Sequence, residues 1–255
     1  MGILDLFKLD GKVAIVTGCG RGLGLGIAQG LAEAGAGIMG VGFAPDAPAC
    51  RNAVEACGRK FHYLPADLKS QERIPEILEE TLKVFGRADI LVNNAGIIKR
   101  ADSTDFTGED WDEVMNVNLK SLFFLSQAAA KQFIKQGSGG KIIHIASLLS
   151  FQGGIRIPSY TAAKSGVRGL TMLMANEWAK HNININAIAP GYFETDNTSA
   201  LRADRRRYEE ITSRIPAGRW GIPQDLAGAA VFLASPASNY LNGFTIAVDG
   251  GWLGR

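Results

Sequence analysis

Tyr160 and Lys164 stand four residues apart in the run Tyr160-Thr161-Ala162-Ala163-Lys164, and Ser147 lies thirteen residues upstream at the end of an apolar stretch. On a helix, residues four apart share one face, one turn above the other. A tyrosine is a poor proton donor or acceptor at neutral pH because its reference pKa is about 10. Bringing it near 7 takes roughly 3 units, or about 4 kcal/mol. A cation about 4 Å away at an effective dielectric near 20 supplies about that much. The spacing therefore offers an acid/base tyrosine tuned by Lys164, and Ser147 offers a hydrogen bond to a substrate oxygen.

Those three side chains need a scaffold, and the chain alternates strand and helix signals along its length. Apolar or β-branched runs at 12–17, 37–42, 60–64, 89–92, 141–146, 182–187 and 244–248 read as seven strands. Between them lie stretches with apolar residues three and four apart, such as 27–34 and 77–85. Alternation of this kind predicts an α/β fold, a doubly wound parallel sheet joined by right-handed crossovers, with helices on both faces. Near-continuous apolar strands such as Val13-Ala14-Ile15-Val16 agree, because such a sheet is buried on both sides. No repeat or linker divides residues 1–255, so one domain is expected. The rhythm breaks over 190–223, a proline-bounded polar segment carrying Arg202, Arg205, Arg206 and Arg207. It is expected to fold over the carboxyl edge of the sheet as a substrate lid.

The first strand runs into Thr17-Gly18-Cys19-Gly20-Arg21-Gly22-Leu23-Gly24 and then a helical pattern. Glycines at a strand-to-helix turn let the backbone approach a pyrophosphate, and the helix amino terminus favours its charge. The spacing T-G-x-x-x-G-x-G, together with Asn93-Asn94-Ala95-Gly96, Asn118, Ser147, Tyr160-x-x-x-Lys164 and Pro190-Gly191, resembles the short-chain dehydrogenases/reductases. The resemblance covers the whole chain with every motif in order. It implies proton transfer by Tyr160 and a Lys164 that lowers the Tyr160 pKa and holds the nicotinamide ribose. It also implies a Ser147 that binds the substrate oxygen, and an Asn118 that supports a water relay. Ser150 and Ser159 match in type but not in position, and Ser159 is expected to help start the helix that carries Tyr160.

The same resemblance implies a Rossmann-type coenzyme site built from Thr17, Gly18, Arg21, Gly22, Leu23, Gly24, Asp67, Leu68, Asn94, Ala95, Gly96, Tyr160, Lys164, Pro190, Gly191 and Thr195. Asp67 also fits a helix-capping role. NAD is the expected coenzyme, with NADP not excluded. The acidic residue that would repel a 2′-phosphate falls on Gly42, and Arg21 sits where some NADP-using relatives carry a base.

Residues 147–160, 174–182 and 215–221 resemble the branch of that family acting on 2-dehydro-3-deoxy-gluconate-type sugar acids in carbohydrate catabolism. A carboxylate substrate calls for a cation, and the planar fork of arginine suits it. Arg156 and Gln152, between Ser147 and Tyr160, are the foremost substrate candidates beside Ser147, and Arg100 and Arg202 follow. For Arg156 a structural ion pair competes. Gluconate-type oxidation and broad NADP-dependent carbonyl reduction are the alternatives within enzymes. A non-catalytic coenzyme-binding regulator is the alternative outside them, and such a protein would be expected to lack Tyr160 or Lys164.

Composition narrows the partners. A net charge of +2 points to neither nucleic acid nor an anionic membrane. No window has the apolar length of a membrane helix, and a cytoplasmic protein is expected. Cys50 and Cys57 are too far apart on one helix to bridge, and Cys19 reads as a small side chain in a tight turn. His62, His144 and His181 lack neighbours at ligand spacing, so no metal is expected, and His144 reads as a satisfied core histidine. The resemblance also implies a homotetramer.

Overall fold

The computed structural model describes residues 2–255. Seven strands form one sheet: β1 Val13–Thr17, β2 Gly37–Gly42, β3 Phe61–Pro65, β4 Ile90–Asn93, β5 Gly140–Ile145, β6 Ile183–Pro190 and β7 Thr245–Val248. Their order is β3-β2-β1-β4-β5-β6-β7, and every neighbouring pair is parallel. The strand order reverses between β1 and β4, so a crevice opens there at the carboxyl edge. The α-helices are α1 Gly22–Glu33, α2 Pro48–Ala56, α3 Ile74–Phe85, α4 Gly108–Met115, α5 Ser121–Gln136, α6 Pro158–Trp178, α7 Ser199–Ala203, α8 Arg205–Arg214 and α9 Ala227–Ala234.

The apolar strand runs follow from burial on both faces. Successive strand residues point to opposite sides. Ala14 and Val16 of β1 join Ile27, Leu31, Val54 and Leu233 under α1, α2 and α9. Ile15 joins Ile77, Leu125, Phe133 and Val167 under α3, α5 and α6. Two cores thus clamp the sheet and hold its carboxyl edge rigid.

All seven strands lie where the alternation predicts, with shifted ends. β6 runs on to Pro190 because Ala187 to Pro190 pair with β7. Pro190, expected at the foot of the lid, therefore closes a strand, where its missing N–H is tolerated. β6 starts at Ile183 because Asn182 takes a left-handed conformation, φ 57°. The 190–223 segment is not a loose flap. Ile211, Ile215 and Trp220 pack with Leu148 and Trp252 in a third apolar cluster. Tyr208 stacks on Trp220 at 5.4 Å, and Tyr192 meets Trp252 at 4.7 Å. Among the described residues no helix is long and apolar enough to cross a membrane.

Candidate active site

β5 ends at Ile145, and the chain turns at Ser147, whose backbone is extended (φ −163°). Ser147 caps the short helical turn Leu148–Ser150, its Oγ accepting from Leu149 N at 3.2 Å. α6 starts at Pro158, whose fixed φ suits the first helical position, and its first turns carry Tyr160 and Lys164 on one face. Ile157 is the residue before the helix, and no side chain caps its start. Ser159 is fully buried with its hydroxyl unpartnered, so it does not start the helix as expected. Ser150 is buried and donates to Lys164 O, a structural role.

Lys164 is 4% exposed, and its Nζ donates to the Ile145 carbonyl at 2.6 Å. The ammonium lies 5.6 Å from the centre of the Tyr160 ring. Burial pushes the Lys164 amine down to about 8. Burial also raises the Tyr160 phenol above its ordinary value, with Ser147 hydrogen bonding and the Arg100 charge acting in the opposite direction. The expected net lowering of Tyr160 by Lys164 is therefore not present in the polypeptide alone. Removal from water disfavours the charged form of both groups, and the ammonium is engaged with a backbone carbonyl. Tyr160 is therefore held protonated at neutral pH, next to Ser147.

Asn118 sits in a π-helical turn, Asn116–Lys120, between α4 and α5. Such turns widen a helix locally and recur at functional sites. Asn118 is 1% exposed; its Oδ1 accepts from Ile97 N and its Nδ2 donates to Ile97 O, both at 2.8 Å. It fixes the segment after β4 that carries Asn94, Ala95 and Gly96. Both of its amide groups are engaged with Ile97, which is a positioning role.

The crevice between β1 and β4 is built by side-chain ties between their ends. Thr17 Oγ1 accepts from Asn94 N and Ala95 N, both at 2.9 Å. Asn94 Nδ2 donates to Thr17 O at 2.8 Å and Gly18 O at 3.2 Å. A Cβ on Gly24 would lie 2.2 Å from Gly18 O, so glycine is required where α1 meets the turn. At Gly20 and Gly22, by contrast, a Cβ would meet only Ala47 at 3.7 Å and Thr195 at 3.5 Å. No side chain caps α1. The turn is thus a cradle with free space above unsatisfied N–H groups, which fits a dinucleotide pyrophosphate. Thr195 faces this cradle across the crevice, and Leu23 follows it on α1. Gly191 donates to Val248 O at 2.9 Å and packs against Asp249, whose Cα would be 2.6 Å from its Cβ.

Several expected ligands have other partners. Asp67 Oδ1 accepts from Lys69 N at 2.9 Å, which makes a local turn after β3. Leu68 is buried in the core. Arg21 pairs with Asp196 at 2.7 Å, both exposed, and so links the glycine-rich turn to the 190–223 segment. Arg156 is no free cation: its Nε meets Asp102 Oδ1 at 3.0 Å, and its carbonyl accepts from Ala101 N at 3.1 Å. Its left-handed backbone (φ 62°) marks a fixed corner. Of its two expected roles, the structure shows the ion pair. Arg100 donates to Asn197 O at 3.1 Å, and its charge reaches Tyr160. Arg202 donates to Thr195 O at 3.1 Å and keeps a buried Nε without a partner. Gln152 Oε1 accepts from Trp252 Nε1 at 3.2 Å.

His144 is wholly buried, with Nε2 3.1 Å from Ser126 Oγ and Nδ1 2.9 Å from Thr171 Oγ1. Burial pushes its imidazole down to about 3, so it is a neutral, satisfied core group as expected. Two features escaped the sequence: the π turn under Asn118, and Tyr63, which lies against the end of β2. No local pattern signals either.

A parallel sheet in this order, a phosphate cradle at the strand reversal and a Ser–Tyr–Lys set on β5 and α6 define a nicotinamide-dependent oxidoreductase of the Rossmann type. The family profile described as enoyl-(acyl carrier protein) reductase matches residues 18–253. The chain is 63% identical over 253 residues to 2-dehydro-3-deoxy-D-gluconate 5-dehydrogenase of Escherichia coli strain K12, covering 99% of this chain and all of that one. It is 62% identical, with the same coverage, to the Dickeya dadantii protein of the same name. The crystal structure of a gluconate 5-dehydrogenase from Burkholderia cenocepacia J2315, in complex with NADP and tartrate, superposes with a TM-score of 0.94 at 42% identity over the whole of both chains. The chain belongs to the short-chain dehydrogenases/reductases and is an NAD(P)-dependent enzyme acting on CH–OH groups.

Proposed function

We propose that the enzyme interconverts the secondary alcohol and ketone at C5 of 2-dehydro-3-deoxy-D-gluconate, in the breakdown of hexuronate or pectin-type carbohydrate. The observation that carries this reading is the full-length 63% identity to the E. coli enzyme of that name, on a chain whose Ser147, Tyr160 and Lys164 lie together beside the cradle. The bound nicotinamide supplies or accepts the hydride. In the reductive direction Tyr160 gives its phenolic proton to the carbonyl oxygen while Ser147 holds that oxygen by a hydrogen bond. In the oxidative direction Tyr160 takes the proton back. Lys164, whose Nζ is bonded to Ile145 O and lies 5.6 Å from the centre of the Tyr160 ring, would hold the nicotinamide ribose.

Arg100, which donates to Asn197 O and lies near enough to Tyr160 for its charge to be felt there, is the carboxylate ligand we favour, and Arg156, in an exposed ion pair with Asp102, is the second candidate. Arg202, Gln152 and the 190–223 segment complete the substrate side, with that segment as the lid. Thr17 to Gly24, Asn94 to Gly96, Gly191 and Thr195 line the coenzyme side, with Asp67 and the core residue Leu68 behind them at the end of β3. NAD and NADP are both admitted, because Gly42 presents no carboxylate at the end of β2. The family resemblance is the ground for a homotetramer in the cytoplasm, and exposed Phe124 and Ile134 on α5, with Met172 and Leu173 on α6, offer apolar faces for subunit contacts. A second reading, gluconate oxidation, rests on the 42% identity to the B. cenocepacia enzyme.

Initial rates with NADH and NADPH against 2,5-diketo-3-deoxygluconate and 5-keto-gluconate decide between the readings. The proposal requires the deoxy substrate to have the higher kcat/KM. A higher value with 5-keto-gluconate would replace it with the second reading.

A further inference from the structure

The end of β2 holds a glycine where a carboxylate is expected, and the structure shows what stands in its place. β2 and β3 run parallel with Gly40 opposite Tyr63 and Gly42 opposite Pro65. The Tyr63 side chain lies along the strand over both glycines. A Cβ on Gly40 would be 3.1 Å from Tyr63 Cδ2 and 2.6 Å from Cys19 Sγ, and a Cβ on Gly42 would be 2.9 Å from the Tyr63 hydroxyl. That hydroxyl cannot swing away freely, because it donates to Ala44 O at 2.8 Å. The hydroxyl thus sits at the carboxyl end of β2, the strand next to β1, whose end leads into the glycine-rich turn.

Asp46, whose charge opposes ionisation of the phenol, is itself paired with Arg51 at 3.3 Å. Burial, with nearby negative groups, pushes the Tyr63 phenol up to about 12, so it stays neutral. A neutral hydroxyl with free lone pairs can accept from a ribose hydroxyl and does not repel a phosphate.

We propose that Tyr63 sets the coenzyme tolerance of this chain. Its hydroxyl takes the space at the carboxyl end of β2 that a side chain on residue 42 would need, and it leaves an uncharged wall that admits nucleotides with either a 2′-hydroxyl or a 2′-phosphate. This rests on the coenzyme-site reading above. It gives a reason for glycine at residue 42: with Tyr63 in place, a larger residue must displace the phenol from Ala44 O.

The test is titration of the cofactor-free protein with NADH and with NADPH, followed by nicotinamide fluorescence, alongside thermal melting. Wild type should bind both, with dissociation constants within about tenfold of each other. Gly42→Asp alone should lower the melting temperature and weaken both nucleotides. Adding Tyr63→Ser to Gly42→Asp should restore the melting temperature and favour NADH by about a hundredfold, since a carboxylate then faces the 2′-phosphate. Tyr63→Phe, which keeps the ring, should change at least one dissociation constant by more than about threefold.

The proposal fails if Gly42→Asp alone matches the double variant in melting temperature and selectivity, or if Tyr63→Phe leaves both constants unchanged. A wild type that binds one nucleotide more than about a hundredfold better also overturns it. If wild type binds neither nucleotide, the coenzyme-site reading falls first and takes this one with it.

Discussion

Replacing Lys164 with methionine should make the cofactor-free protein more stable at pH 7 while removing its activity. Lys164 is 4% exposed, and burial pushes its amine from 10.5 down to about 8. That difference corresponds to about 3 kcal/mol at 1.36 kcal/mol per unit. The sign follows from proton counting. Between pH 8 and 10.5 the unfolded chain binds more protons at this site than the native one, so stability rises with pH across the window. Below pH 8 the whole cost is present, since both states carry the ammonium and only the native one buries it.

The hydrogen bond to Ile145 O is not part of that burial shift, and its loss in the variant makes about 3 kcal/mol a ceiling. Methionine fills a similar volume without a charge. For a chain of this size about 1 kcal/mol moves the melting temperature by about 2–4 °C, so Lys164→Met should melt higher than wild type at pH 7, by at most about 6–12 °C. The gain should shrink towards zero as pH approaches 10.5. Calorimetric or dichroism melts of both proteins from pH 7 to 10.5 read this directly. A variant that melts lower at pH 7, or a gain independent of pH, would refute the burial argument.

Tyr160, raised above its ordinary value of 10 by burial, should give opposite pH profiles in the two directions: ketone reduction falls and alcohol oxidation climbs only as pH rises above 10, and matching profiles would contradict its proton role. Arg100→Ala should raise KM for sugar acids by roughly 10–100-fold, the loss of one charge-assisted contact, and Arg156→Ala should change it far less; the reverse order would return the carboxylate to Arg156. His144, pushed down to about 3 from 6.5, binds fewer protons in the native state over that range, so stability should drop as pH falls from 6.5 towards 3. Urea unfolding at pH 7 and pH 4 should show a smaller acid loss for His144→Leu than for wild type, and equal losses would place the acid sensitivity elsewhere.

The strands were legible because β1, β4 and β5 are buried on both faces and their apolar runs need no partner to be recognised. Tyr160 and Lys164 were legible because helical spacing alone puts them on one face. Their protonation was not, since desolvation depends on what α6 packs against. The ion pair expected as one of two roles for Arg156 could not be given a partner, because Asp102 sits on another loop and no local pattern joins them. Arg21 and Asp196 are separated by 175 positions, and the aromatic cluster of Tyr192, Trp220 and Trp252 forms only once the chain end returns to the 190–223 segment. The extension of β6 to Pro190 was hidden because a proline normally signals the end of a strand, and it does so here three residues later than expected.

The central claim is that Tyr160 moves the proton for hydride transfer at a sugar-acid carbon. Turnover of 2-dehydro-3-deoxy-D-gluconate with NAD and with NADP, followed at 340 nm for wild type and Tyr160→Phe beside coenzyme titrations of both, tests it most directly. The account predicts wild-type turnover, a loss of at least about a hundredfold in Tyr160→Phe, and coenzyme affinity nearly unchanged. A Phe variant that turns over at the wild-type rate would contradict it.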